Sequence, residues 1–166
     1  MKKLFLIPAA LFLLSSCDKD DNENEITTLN QKGEVKVELQ GEWSNNYKSV
    51  LFYNDAGQVA HRDIDSAYLD VRHTFAGDNM HISHPNSGAR ESFTFVIPDS
   101  SDTDYIVLFQ GQKRLDTYEI VSKNDTSMVW EATVDYAGYR DVDANGDSIT
   151  VTSRKGVYSY KFKRLR

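Results

Sequence analysis

The chain has 166 residues and a formal net charge of −6 at neutral pH, and 27% of its residues are charged. This length suits one domain of ordinary size. The acidic balance and the lack of a basic stripe argue against a nucleic-acid partner, because such partners are held by clustered Lys and Arg. Cys17 is the single cysteine, so a disulfide within the chain is excluded.

The first residues have the pattern of a targeting signal. Two lysines precede an apolar run from Leu4 to Leu14, which is too short to cross a bilayer as a helix. Leu14-Ser15-Ser16-Cys17 resembles the lipobox of bacterial lipoproteins. That resemblance implies cleavage before Cys17 and acylation of this cysteine, with an ordinary secretory signal as the alternative.

We therefore divide the chain into three parts: a signal peptide (1–16), a lipidated and acidic disordered tether (17–33), and a folded domain (34–166). Like charges and low hydrophobicity keep such a tether extended. Cys17-Asp18-Lys19-Asp20-Asp21 resembles the acidic tag of surface-exposed lipoproteins in some Gram-negative groups. We expect an outer-membrane location and a membrane partner through the lipid anchor, on either the periplasmic or the cell-surface face.

The rest of the chain has the pattern of short β-strands. From Gly41 onward, turn residues recur about every ten positions, and no long stretch shows apolar residues at helical spacing. This predicts an all-β fold, an up-and-down antiparallel barrel of about eight to ten strands, with a β-sandwich as the alternative. In the first predicted strand, Trp43 and Tyr47 are at odd positions and share one face. Val50 and Phe52 are at even positions, which would place them on the opposite face. We therefore predict a β-bulge near Lys48–Ser49.

Gly41-Glu42-Trp43 resembles the G-x-W motif of lipocalins. The resemblance implies that Trp43 closes one end of a barrel and that Arg164 or Arg166 packs over it. The segment from Tyr118 to Glu131 is similar to a late hairpin of bacterial lipocalin-like lipoproteins. The chain departs from the family in having no disulfide and no obvious helix before its last strands.

The inward rows of the strands provide the first candidate site. Aromatic walls with polar tips suit a small, partly polar lipophilic ligand, although the same side chains could fill the barrel as a solid core. The expected interior residues are Tyr47, His73, Phe75, Phe93, Phe95, Phe109, Tyr118, Trp130, Tyr158 and Tyr160.

Two weaker metal candidates follow from spacing. Asp141, Asp143 and Asn145 have the D-x-D-x-N-G pattern of a calcium loop, but Thr152 stands where a bidentate Glu is expected, so a hairpin turn is favoured. If Phe75 pairs with Met80, His73 faces Ile82 and His84 lies diagonally near it, with His81 pointing away. A third ligand is not evident from the spacing, so we predict neither a metal nor a cofactor.

No nucleophile elbow, phosphate-binding loop or zinc-protease motif is present in the sequence. We therefore expect a monomeric binding protein and not an enzyme. The leading hypothesis is a membrane-anchored, lipocalin-like protein that holds a small, largely apolar ligand inside its barrel. The alternatives are a surface glycan-binding β-sandwich and a scaffold that contacts another envelope protein.

Overall fold

The computed structural model describes residues 31–65, 71–100 and 102–165. Within them, one short helix precedes eleven strands, all paired antiparallel. The elements are α1 (Gly33–Leu39), β1 (Gly41–Tyr53), β2 (Val59–Asp65), β3 (Val71–Ala76), β4 (Asn79–Ser83), β5 (Arg90–Val96), β6 (Tyr105–Gln110), β7 (Lys113–Lys123), β8 (Ser127–Asp135), β9 (Gly138–Val142), β10 (Ser148–Thr152) and β11 (Lys155–Arg164). None of the helical residues described is part of a segment long and apolar enough to span a membrane.

Eight strands close into an antiparallel barrel, which confirms the predicted fold class. Their order around the ring is β1–β3–β4–β5–β6–β7–β8–β11, and β11 pairs with β1 to close it. The sandwich alternative is therefore excluded. Closure pairs both edges of every strand along the ring and so leaves no exposed margin there.

β1 is long because it has two partners along one edge. Its first half pairs with β3 and its second half with β2, so β2 and β3 act as one interrupted partner strand. The predicted bulge lies between Asn45 and Tyr47, slightly earlier in the chain than expected. A bulge moves the following side chains to the other face. Trp43 and Asn45 therefore point inward, and Tyr47 points outward.

The main hydrophobic core fills the barrel from the end that α1 covers. Trp43, Phe95 and Met80 are fully buried there, and Phe75 meets Phe95 edge-to-face at 5.2 Å between ring centres. Other core members come from all around the ring and from α1, namely Leu39, Phe75, Ile97, Ile106, Leu108, Ile120, Met128, Trp130 and Phe162.

A second region, which we call the extension, continues beyond the opposite end of the barrel. It consists of β2, the second half of β1, the parts of β8 and β11 that continue alongside it, and the β9–β10 hairpin. Val50, Phe52 and Ala137 form its small core, with Tyr139 and Tyr158 packed against them. His61 lies in β2 and stacks on Tyr139, with ring centres 4.4 Å apart.

Candidate functional site: the barrel chamber

One end of the barrel is sealed by what we call the cap, formed by α1, Trp43 and Arg164. The Trp43 indole N–H donates to the carbonyl of Leu39 at 2.8 Å, and its ring is fully buried. The guanidinium of Arg164 lies 4.4 Å from the Trp43 ring centre and donates to the carbonyls of Gln40 and Glu38. Trp43 and Arg164 thus lie where the lipocalin resemblance places them. Cation–π contact and hydrogen bonds together hold the cap on the strands.

Local backbone geometry explains the glycine of the Gly41-Glu42-Trp43 motif. Gly41 has φ of 111°, a conformation that side-chain-bearing residues rarely adopt. This lets the chain turn from the end of α1 directly into β1. The turn brings Leu39 close enough to accept the hydrogen bond from Trp43.

Three ion pairs tie α1 and the residue before it to two loops and one strand end at the same end of the barrel. Lys32 Nζ lies 3.0 Å from a carboxylate oxygen of Asp104, before β6, and Lys36 pairs with Asp78, between β3 and β4. Glu38 pairs with Lys123, the last residue of β7, whose pKa is lowered by partial burial and by the nearby Arg164. These contacts hold the cap in place and close this end of the barrel, which we call the floor.

Above this floor lies a cavity of about 180 Å³ that opens toward the other end of the barrel. We call it the chamber. Its walls are mostly aromatic and aliphatic, with a few polar groups. The lining residues are Asn45, Val71, His73, Met80, Ile82, His84, Glu91, Leu108, Tyr118, Trp130, Tyr160 and Phe162.

His73 is the deepest ionisable group of the chamber. It is 6% exposed, and burial lowers its pKa from 6.5 to about 4, because an apolar environment disfavours the charged ring. The backbone of Val71 opposes part of this shift, and His84 adds to it. His73 is therefore neutral at neutral pH.

Two polar nitrogen atoms in the chamber wall lack a partner. Nε1 of Trp130 and Nδ1 of His73 are buried and make no hydrogen bond among the described residues. Their rings meet edge-on, with centres 6.2 Å apart and planes at 82°. A buried indole N–H without an acceptor is costly, and indole can only donate. Both residues line the chamber, so unused hydrogen-bonding capacity lies directly behind its wall.

His84 and Glu91 stand at the mouth of the chamber. Nε2 of His84 lies 3.5 Å from a carboxylate oxygen of Glu91, and both side chains are partly exposed. The predicted register of this hairpin is present, with Phe75 opposite Met80 and His73 opposite Ile82. His81 points away from the chamber and contacts Ser92.

The structure distributes the predicted interior residues over three places. His73, Tyr118, Trp130 and Tyr160 line the chamber. Phe75, Phe93 and Phe95 belong to the core between chamber and cap or pack against it.

Three predicted interior residues lie elsewhere, and the strand faces explain why. Tyr47 follows the bulge and faces outward, where Lys161 Nζ lies 4.6 Å from its ring centre. Phe109 is buried in a separate cluster with Val96 and Val107, because Ile106 and Leu108 form the inner row of β6. Tyr158 packs in the core of the extension.

Several lining residues were not predicted. Asn45 lies on the same face of β1 as Trp43, so the alternation of that strand could have identified it. Leu108 was missed because β6 is apolar on both faces, so alternation could not orient it. Glu91 lies directly across the β4–β5 pairing from Ile82, and this register could have suggested it.

The Asp141–Asp147 segment closes the β9–β10 hairpin. The carboxylate of Asp143 accepts hydrogen bonds from the backbone N–H groups of Asp147 and Asn145 at 2.9 and 2.8 Å, which lower its pKa. This agrees with the hairpin interpretation. Within the described parts of the chain, no group of three or more His, Cys, Asp or Glu residues could hold a metal ion.

A second, open groove runs along the extension and has a volume of about 420 Å³. Its lining includes Lys48, Phe52, Asp63 and Tyr158. Unlike the chamber, it has no buried unpartnered nitrogen or oxygen among its described side chains. The chamber is therefore the stronger candidate site.

Comparisons of the chain with protein-family models, curated proteins and solved structures found no match. The predicted signal peptide (1–16) and the predicted tether as far as residue 30, including Cys17, lie outside the described parts of the chain.

Proposed function

We propose that the chain is a membrane-anchored binding protein that holds a small, largely apolar ligand in the chamber. The observation that carries this proposal is the cavity of about 180 Å³ inside the barrel, closed at its floor and open at its mouth. A barrel packed solid would have no such space. The lipobox pattern ending at Cys17 supports the membrane anchor, and the barrel with its Trp43 cap supports a lipocalin-like binding mode.

The size of the chamber limits the ligand. An engineered apolar cavity of about 150 Å³ is large enough to bind benzene. The chamber is slightly larger and well below the roughly 300–1,000 Å³ of pockets that hold drug-sized molecules. A ligand held entirely within the chamber is therefore about one ring in size, and a whole fatty-acid chain or a haem would not fit inside it.

Native mass spectrometry of the chain purified gently from its own cells tests the proposal. We expect a small molecule bound to the wild-type chain and lost from Ile82→Trp, which fills the chamber mouth. Ile64→Trp is the matched control, because Ile64 is 54% exposed on β2 and should leave binding intact. A wild-type chain that is always empty, and whose Ile82 and Leu108 methyl resonances do not respond to toluene, would contradict the proposal.

The scaffold hypothesis has one observation in its favour. The extension exposes several large apolar side chains, and the outer edge of β2 has no partner strand among the described residues. Exposed strand edges can accept another chain. A pull-down from envelope extracts that depends on the extension, and that survives Ile82→Trp, would favour this second function.

A further inference from the structure

We infer that the chamber selects a neutral, single-ring ligand whose polar atom is a hydrogen-bond acceptor aimed at Trp130. This inference rests on the proposed binding function and specifies the chemistry of the ligand. Its starting point is the unpartnered Nε1–H of Trp130, on a side chain only 3% exposed. An indole nitrogen can only donate, so the missing partner must be an acceptor such as a carbonyl or ether oxygen.

The position of Trp130 makes it a wall of the chamber and not just a member of the core. Its ring lies 4.6 Å from Phe162 and 5.6 Å from Tyr118, and all three line the cavity. These rings provide a flat apolar surface for a ring of the ligand. Nε1 is buried just behind this surface, so an acceptor on the ligand would reach it through a small turn of the indole ring.

His73 supplies the second polar contact. Its Nδ1 is also buried without a hydrogen-bond partner, and its ring stands edge-on to Trp130. The ring also has a hydrogen bond to the backbone of Val71, which helps to set the tautomer and so the role of Nδ1 as donor or acceptor. A hydroxyl group on the ligand can satisfy Nδ1 in either tautomer.

The charge of the chamber argues for a neutral ligand. None of the lining residues is a lysine or arginine, and His73 is uncharged at neutral pH. Glu91 places a carboxylate at the mouth beside His84. An anion entering here would lose its hydration and meet no fixed cation inside, which is unfavourable.

A pair of nearly isosteric probes isolates the acceptor. Acetophenone and α-methylstyrene differ in one position, where a carbonyl oxygen replaces a CH₂ group. The readout is the indole N–H resonance of the two tryptophans in a ¹H–¹⁵N spectrum of the wild-type chain. We expect acetophenone to move the Trp130 signal downfield and to leave the Trp43 signal unchanged, since Trp43 already donates to Leu39. The hydrocarbon should produce no downfield movement.

The variant Trp130→Phe keeps an aromatic wall and removes the donor. We expect it to weaken acetophenone binding about tenfold and to leave α-methylstyrene binding within about twofold. Benzoate, similar in size but anionic, should bind the wild-type chain at least about tenfold more weakly than acetophenone. If Trp130→Phe does not fold, the wild-type spectrum still tests the acceptor, because acetophenone and not α-methylstyrene should move the Trp130 signal downfield.

The possible results distinguish a failure of this inference from a failure of the proposed binding function. If neither neutral probe binds, the proposed function fails. If both probes bind but Trp130→Phe weakens their binding equally or not at all, the proposed binding function stands. The inference that the ligand carries an acceptor for Trp130 is then wrong. If benzoate binds as tightly as acetophenone, the inference that the ligand is neutral is wrong.

Discussion

The barrel and the extension share the strands β1, β8 and β11 but bury their apolar residues in different ways. In the barrel, strands surround the core and α1 covers it, so residues such as Trp43 and Phe95 reach complete burial. In the extension, a sheet is covered on one face by the β9–β10 hairpin, and its core contains only Val50, Phe52 and Ala137. The closure of the sheet into a barrel, and not the length of its strands, therefore decides how many side chains a strand can bury.

The same contrast is seen at the surface. Most of the large apolar side chains that are exposed among the described residues belong to the extension: Val59, Ile64, Val134, Tyr136, Val142 and Ile149. The barrel can surround a chamber because contacts outside the cavity hold the cap in place and pair the strands of the ring. The extension has no comparable support, so we expect it to open at lower free energy than the barrel.

Two matched phenylalanines should show the largest difference. Phe95→Ala removes a fully buried ring from the barrel core and should lower the free energy of unfolding by about 3–5 kcal/mol. Phe52→Ala removes an equally buried ring from the extension, where the hairpin can settle into the gap, and should cost clearly less. Urea unfolding monitored by tryptophan fluorescence measures both. Equal losses would mean that the two regions unfold as one unit.

The buried His73 should make the stability of the barrel pH-dependent. Its pKa is about 4 in the folded state and 6.5 in the unfolded chain, so the unfolded chain binds the proton more tightly. Stability is therefore full above about pH 6.5 and falls as the pH approaches 4, with a total contribution on the order of 3 kcal/mol. Unfolding measured from pH 7 to 4 should show a smaller slope in His73→Phe. The exposed His81→Gln should keep the wild-type slope.

The smallest predicted effect lies within the extension. A Cβ on Gly156 would come within 2.7 Å of the Cβ of Ala137, so Gly156→Ala should cost about 1–3 kcal/mol locally. We expect faster hydrogen exchange in β9 and β10 and unchanged exchange in β4 and β5. Adding Ala137→Gly should restore protection. Gly138→Ala is the control, because its nearest contact would be an ordinary 3.4 Å.

Faster exchange in the barrel strands of Gly156→Ala would contradict the independence of the two regions. No effect at all would mean that the hairpin shifts freely on the sheet. Either result would sharpen the boundary between barrel and extension.

Much of the fold could be predicted because strands alternate and short turns fix register. The register of Phe75 with Met80 follows from a tight turn between two alternating strands. The alternation of polar and apolar residues cannot identify the inward face of a strand that is apolar on both faces. In β6, for example, the neighbouring residues Val107 and Leu108 are both buried. Tyr47 was misplaced because a bulge can be inferred from a parity change but not assigned to one residue.

The helix α1 was not predicted, and its residues explain why. Val35, Val37 and Leu39 alternate with polar residues, which is the pattern of a strand. In the structure, Val35 packs on the core and Leu39 is buried, whereas Val37 is 71% exposed. Contacts with the barrel floor, including the ion pairs of Lys36 and Glu38, favour the helix over the local pattern. Long-range contacts of this kind are not visible in a single sequence.

One contact near the start of the described chain fixes where the predicted tether joins the barrel. Gln31 forms a bridge with Pro98, and the next backbone N–H donates to Ile97 at 2.9 Å, both beside the cap. The polypeptide therefore joins the barrel at its sealed side. If Cys17 carries the proposed acyl anchor, the link to the membrane attaches at the sealed side, at the end of the barrel opposite the mouth with His84 and Glu91. Anchoring and ligand entry would then use opposite ends of the barrel.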